Sequence, residues 1–292
     1  IYYTSTGPFE IWRSADIGNT VMNWERVVQN SFNDPTNNKG VDIMAVFNNH
    51  IYAGTMTRDP LGSFGDPSTY GTGVEIWESS SGDSGAWTQV NYDGFGTELT
   101  LSPWGTFRTN QDIGSWAVYK PSNQQQEYLY IGTLSHFGAQ VWRYDGTGMS
   151  GWTDVSPSWA FDPIFSSGTY RFKDMVVFEG SLYVAEGYPS AMLDKYDGTY
   201  WSVEVGGGDP PEPPFLPENT GLVALAVLGD KLYVGPLTQQ GSSIGDQVWG
   251  YRFYSVTIWS WDVVGWLANT PITKDGVPSG QNTPFTFTGL TG

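Results

Sequence analysis

One strand pattern returns along this chain, and it constrains the fold more than any other property of the sequence. Its clearest copy runs from Met44 to Val90. Met44-Ala45-Val46-Phe47 turns through Asn48-Asn49 into Ile51-Tyr52-Ala53-Gly54-Thr55. A long loop then leads to Val74-Glu75-Ile76-Trp77, a polar turn, and Trp87-Thr88-Gln89-Val90. Short apolar runs rich in β-branched and aromatic residues, bounded by Gly, Asn, Asp and Ser, predict strands joined by hairpins. The copy therefore reads as one four-stranded antiparallel sheet.

The first strand recurs as Trp116-Ala117-Val118-Tyr119, Met175-Val176-Val177-Phe178 and Leu225-Ala226-Val227-Leu228. The second recurs at Tyr128 to Thr133, Leu182 to Ala185 and Leu232 to Gly235, the third around Trp142, Lys195 and Trp249, and the fourth at Trp152, Trp201 and Trp261. Residues 1 to 28 supply a partial copy that lacks its first strand. Pro284-Phe285-Thr286-Phe287, alternating apolar and polar, lies where the missing strand is due. Pairing of Phe285–Phe287 with Ile1-Tyr2-Tyr3 would close a ring and leave only short sheet edges. The expectation is an all-β chain, a single β-propeller domain over residues 1–292. It would have five four-stranded antiparallel blades at approximately 284–292 with 1–30, 42–92, 113–156, 173–205 and 223–265.

Composition narrows the function. With 30 acidic and 13 basic residues the net charge is −17, which repels nucleic acid and anionic membranes. The chain has no cysteine, so neither a disulfide framework nor a thiolate metal site is available. No run reaches the length of a membrane span. The chain starts at Ile1, inside a strand-like stretch, which reads as a trimmed or processed terminus. Few lysines and many Thr, Ser, Asn, Gly and Trp point to a secreted or cell-surface protein of a bacterium or archaeon.

The strand set Leu-Tyr-Val-Gly, Val-Trp-Arg and Asp-Gly…Trp resembles extracellular β-propeller repeats of bacteria and archaea over nearly the whole chain. Connectors such as Ser31-Phe32-Asn33 and Asp93-Gly94-Phe95-Gly96 are similar to the Gly-Phe connectors of those repeats. The turn Ser81-Gly82-Asp83-Ser84-Gly85-Ala86-Trp87, and more loosely Ser14 to Gly18 with Trp24, resembles the Asp-box of sialidase-type propellers. Asp145-Gly146 and Asp197-Gly198 are shorter variants. That resemblance implies a folding device in which Asp caps its own turn and Trp packs between blades. The Trp residues repeated in every blade read as packing.

A site is expected among the long loops, which gather at the ends where first strands begin and second strands end. Candidate ligand-binding residues there are Arg58, Tyr70, Trp104, Arg108, Phe137, Trp159, Tyr170, Arg171 and Tyr188. Aromatic planes beside carboxylates suit sugar rings, whose C–H faces stack while hydroxyls bond to the acids. The leading expectation is a non-catalytic propeller that binds a glycan or an extracellular protein partner, or serves in a larger surface assembly.

The alternative is a glycan-active enzyme. The stretch Tyr2 to Ser5, Arg13 to Asp16 and Asn23 to Glu25 resembles the first blade of five-bladed glycoside hydrolases. That resemblance implies inward carboxylates as acid and base, for which Asp42, Asp112, Asp174 and Glu186 are placed. A sialidase-like reading would use Arg58, Arg108 and Arg171 to clasp a carboxylate, with Glu186 and Tyr188 as the nucleophile pair. A polysaccharide lyase would use His136 with a Tyr. No organic cofactor is expected. Clustered oxygen ligands around Asp34, Asp59 and Asp66 would suit Ca²⁺.

Overall fold

The computed structural model describes residues 8–15, 23–57, 72–101, 105–135, 138–160, 171–187, 191–206, 219–238 and 249–251. The chain forms two compact units, Ile1–Lys120 with Gln126–Phe172 and Pro121–Gln125 with Lys173–Gly292. In the first unit β1 (Ile11–Arg13) pairs with β2 (Glu25–Val28). The strands β3 (Gly40–Phe47), β4 (His50–Met56), β5 (Ile76–Ser79) and β6 (Thr88–Gln89) then form a four-stranded sheet in chain order. A hairpin, β7 (Glu98–Leu101) and β8 (Gly105–Arg108), precedes a second such sheet. Its strands are β9 (Asp112–Tyr119), β10 (Tyr128–Leu134), β11 (Val141–Tyr144) and β12 (Trp152–Asp154).

The second unit repeats the plan. The strands β13 (Phe172–Phe178), β14 (Ser181–Glu186), β15 (Leu193–Tyr196) and β16 (Trp201–Val205) make a four-stranded sheet. A three-stranded sheet follows, of β17 (Asn219–Leu228), β18 (Lys231–Thr238) and β19 (Trp249–Tyr251). The chain is thus all-β, built of sequential antiparallel sheets. Two features differ from the sequence expectation. First strands extend beyond their apolar run, β3 starting at Gly40, and the long connection between Val90 and Trp116 contains a hairpin. That hairpin is held by an Arg108–Glu98 ion pair at 3.0 Å, facing Thr100 and Thr106 hydroxyls, and a Thr109 N–H to Thr97 O bond. The fourth strand expected at Trp261–Val263 and the closure between Phe285–Phe287 and Ile1–Tyr3 lie outside the described residues.

In the three four-stranded sheets the core is the second strand. Tyr52, Tyr130 and Tyr183 occupy one repeat position and all are buried. Gly54 in the same strand is required by close approach, since a Cβ there would stand 2.3 Å from Ile113 Cδ1 of the next sheet.

Successive sheets of the first unit are wedged together by their connectors. Ser31-Phe32 and Gly94-Phe95 each take two consecutive left-handed conformations, with Phe32 and Phe95 both at φ 58°. For a Phe this backbone costs about 1–2 kcal/mol, and ring packing offsets it. Phe32 stacks on Trp77 at 4.4 Å and 3°, and meets Trp87 at 5.6 Å. Phe95 stacks on Trp142 at 4.6 Å and 6°, with its edge to Trp152 at 5.0 Å. The repeated Trp residues of sheets β3–β6 and β9–β12 are therefore two walls of a slot that the connector's Phe fills.

The turn chemistry falls partly elsewhere than expected. Asp145 accepts from Thr147 N and Oγ1, and Asp197 accepts from Thr199 N and Tyr200 N, so the two short variants cap their own turns. Asp83, in the fuller Asp-box match, instead meets Arg13 Nη1 at 2.7 Å. Serines cap that turn: Gly82 N donates to Ser79 Oγ and Asp83 N to Ser81 Oγ.

Candidate functional site

The candidate acids stand at the ends of first and second strands, where the backbone leaves the sheet for a long connection. In the first unit Asp42 lies near the start of β3, and its Oδ2 accepts from Ile113 N in β9 at 3.1 Å. In the second unit Asp174 does the same work. Its Oδ2 accepts from Leu225 N in β17 at 2.6 Å, and its Oδ1 from its neighbour Met175 N at 2.8 Å. Burial raises the Asp174 pKa, with the two amide bonds pulling the other way. Each of these carboxylates clasps the first strand of the following sheet through a main-chain amide.

Asp112 and Glu186 are more deeply buried. Asp112 opens β9, its backbone paired with Leu134. Glu186 ends β14 fully buried, and its N–H donates to Met192 O at 3.0 Å. The same main-chain bond is made by Thr55 to Glu75 and by Thr133 to Gln140, so Glu186 stands at the repeat position of two threonines. In those sheets the threonine hydroxyl accepts from the N–H of Glu75 or Gln140 at 2.9 and 2.8 Å. A carboxylate has replaced a hydroxyl at a buried position.

Two further buried acids were not singled out from sequence. Glu75 accepts from Asn38 Nδ2 at 2.7 Å and Trp77 Nε1 at 2.8 Å, and burial raises its pKa against those two bonds. Its counterpart Gln140 instead accepts from Asn110 Nδ2 and donates to Asp154, which leaves Trp142 Nε1 without an acceptor among the described residues. Asp194, also fully buried, takes the β15 position that Trp77 and Trp142 hold in their sheets. The repeat alignment could have flagged it, because an acid stands there in a column of tryptophans.

Among the other candidates, Arg108 is engaged by Glu98 across the hairpin. The Arg171 backbone bridges to Leu134, and Trp159 is exposed in the turn after β12. Asp34 accepts from Asn37 N and Nδ2, a turn cap by geometry. Among the described residues no three His, Cys, Asp or Glu side chains converge as a metal set. Arg58, Asp59, Asp66, Tyr70, Trp104, His136, Phe137, Tyr170 and Tyr188 lie outside the described residues.

No family model matches the sequence, and no curated protein matches it. Several solved structures show a likeness of sheet arrangement. A luciferin-regenerating enzyme is 13% identical, with 84% of this chain and 72% of that chain covered and a TM-score of 0.48. A family 43 arabinoxylan arabinofuranohydrolase from Bacillus subtilis is 15% identical over 72% of this chain and 47% of that one, at 0.36. CoXyl43, a β-xylosidase/α-arabinofuranosidase from a compost metagenome, is 12% identical over 83% and 78%, at 0.32. These neighbours are enzymes, two of them glycoside hydrolases. The likeness extends to neither residue roles nor substrates.

Proposed function

We propose that this chain is an extracellular, glycan-active protein of the β-propeller class, in which Glu186 serves as the acid or base of glycosidic bond cleavage. The observation that carries this reading is the fully buried Glu186 carboxylate at a position where two other sheets place threonine. In a chain of repeats, residues that pack are repeated. A residue that breaks the repeat with a group costly to bury marks a place where structure has yielded to chemistry. The neutral polysaccharides are the favoured substrates, since a net charge of −17 repels acidic ones.

A second reading, a glycan-binding module without catalysis, is favoured by Asp42 and Asp174, which give one and both of their oxygens, respectively, to main-chain amides. One experiment separates them. Incubation with a panel of arabinan, xylan, arabinoxylan and β-glucan should release new reducing ends. Glu186→Thr, which restores the residue used by the other sheets and is expected to fold, should slow release by roughly 10²–10⁴-fold. Retention of the protein on these polysaccharides with no product from any of them overturns the catalytic reading and leaves the binding module.

A further inference from the structure

We infer that Trp12 and Trp24 form an exposed binding slot for one neutral sugar ring on the β1–β2 sheet, separate from the acids at the strand ends. Three sheets of the first unit share one register on their outer strands: Trp12 pairs with Arg26, Trp77 with Gln89 and Trp142 with Asp154. The fourth-strand tryptophans Trp24, Trp87 and Trp152 each lie two residues ahead of that pair. In two of the three sheets a flat ring fills the slot between the tryptophans, stacked 4.4–4.6 Å from the third-strand indole.

The β1–β2 sheet carries its two tryptophans at the same register. Trp12 Nε1 donates to Glu10 at 3.0 Å, just as Trp77 donates to Glu75, so its indole is oriented before anything binds. Yet Trp12 is 48% exposed and Trp24 53% exposed. The rim differs too. In the β3–β6 sheet the rim side chains are occupied by the connector, Glu75 by Asn38 and Gln89 by Asp93. Around Trp12 they are solvent-facing ion pairs, Glu10 with Arg26 and Arg13 with Glu25 and Asp83, with the Arg26 guanidinium 5.9 Å from the Trp12 ring. An aromatic wall for the C–H face and a charged rim for the hydroxyls is the chemistry that holds a pyranose or furanose. The acidic surface selects a neutral one. This site rests on the glycan reading but not on catalysis.

The test is calorimetric titration of the full chain with xylohexaose and with cellohexaose. Trp12→Ala should weaken binding at least tenfold, and Trp12→Phe should retain most of it. Equal binding by Trp12→Ala and parent, or no binding by the parent, overturns the site. Acrylamide quenching of the ligand-free protein adds a check, since a parent and Trp12→Phe with equal quenchable fluorescence would mean that Trp12 is shielded and the slot already filled. Reducing-end release is measured separately, so loss of this site and loss of the hydrolytic reading give different results.

Discussion

A phenylalanine at φ 58° is an unusual choice, and Phe95 shows what it accomplishes. The left-handed backbone turns its ring back onto Trp142 and Trp152, where a residue at ordinary φ would carry it away. This gives an uncommon order of substitutions. Phe95→Ala should cost about 3–5 kcal/mol, because ring contacts vanish while the backbone strain stays. Phe95→Gly loses the same contacts but removes the strain, so it should be less harmful by about 1 kcal/mol. Urea unfolding of both variants decides it. Alanine proving the milder of the two would mean that the left-handed turn is not what the side chain stabilises.

At the scale of the element, the third strand carries a natural experiment. Glu75 and Gln140 hold one position, each beside an asparagine from the preceding connector, but only Glu75 is a carboxylate whose pKa burial raises. A raised carboxyl pKa means that the native state holds the proton more tightly than the unfolded chain. Its contribution to stability is therefore present below the unfolded value and lost as pH rises through the folded one. Glu75→Gln should thus be more stable than the parent near neutral pH, by about 1 kcal/mol, and match it at pH about 4. Denaturant midpoints at the two pH values test this, and an equal gain at both would exclude ionisation as the cause.

The strands themselves were legible as short apolar runs closed by turn residues, although β5 starts at Ile76 and not at Val74. The hairpin β7–β8 was not, because Glu98-Leu99-Thr100-Leu101 belongs to no repeat and its alternation is too short to stand out in a long connector. Among the acids, position was readable and role was not. Asp42 and Asp174 could be placed at strand starts from spacing, but a side chain's choice of a main-chain amide in the next sheet depends on packing that no spacing encodes. Glu186 looked like any strand-end acid until its main-chain bond aligned it with Thr55 and Thr133.

For the molecule as a whole, charge is the dominant bias. Against a net charge of −17 stand exposed ion pairs such as Arg13–Glu25, Arg13–Asp83 and Arg108–Glu98, whose attraction water and salt screen. Self-repulsion should outweigh them, so raising sodium chloride from about 10 to about 200 mM should raise the melting temperature as the screening length shortens. A fall in melting temperature would put the ion pairs ahead of the repulsion. The clasps of Asp42 on Ile113 N and Asp174 on Leu225 N bear on how such a chain came about. Each joint needs a particular side chain on one side only, because every residue except proline offers a main-chain N–H. A duplicated sheet could be accepted by its neighbour at once and then drift in sequence without a compensating change across the joint. Lineages built this way can gain or lose a unit in one genetic event, and their copies can diverge until little but the spacing still relates them.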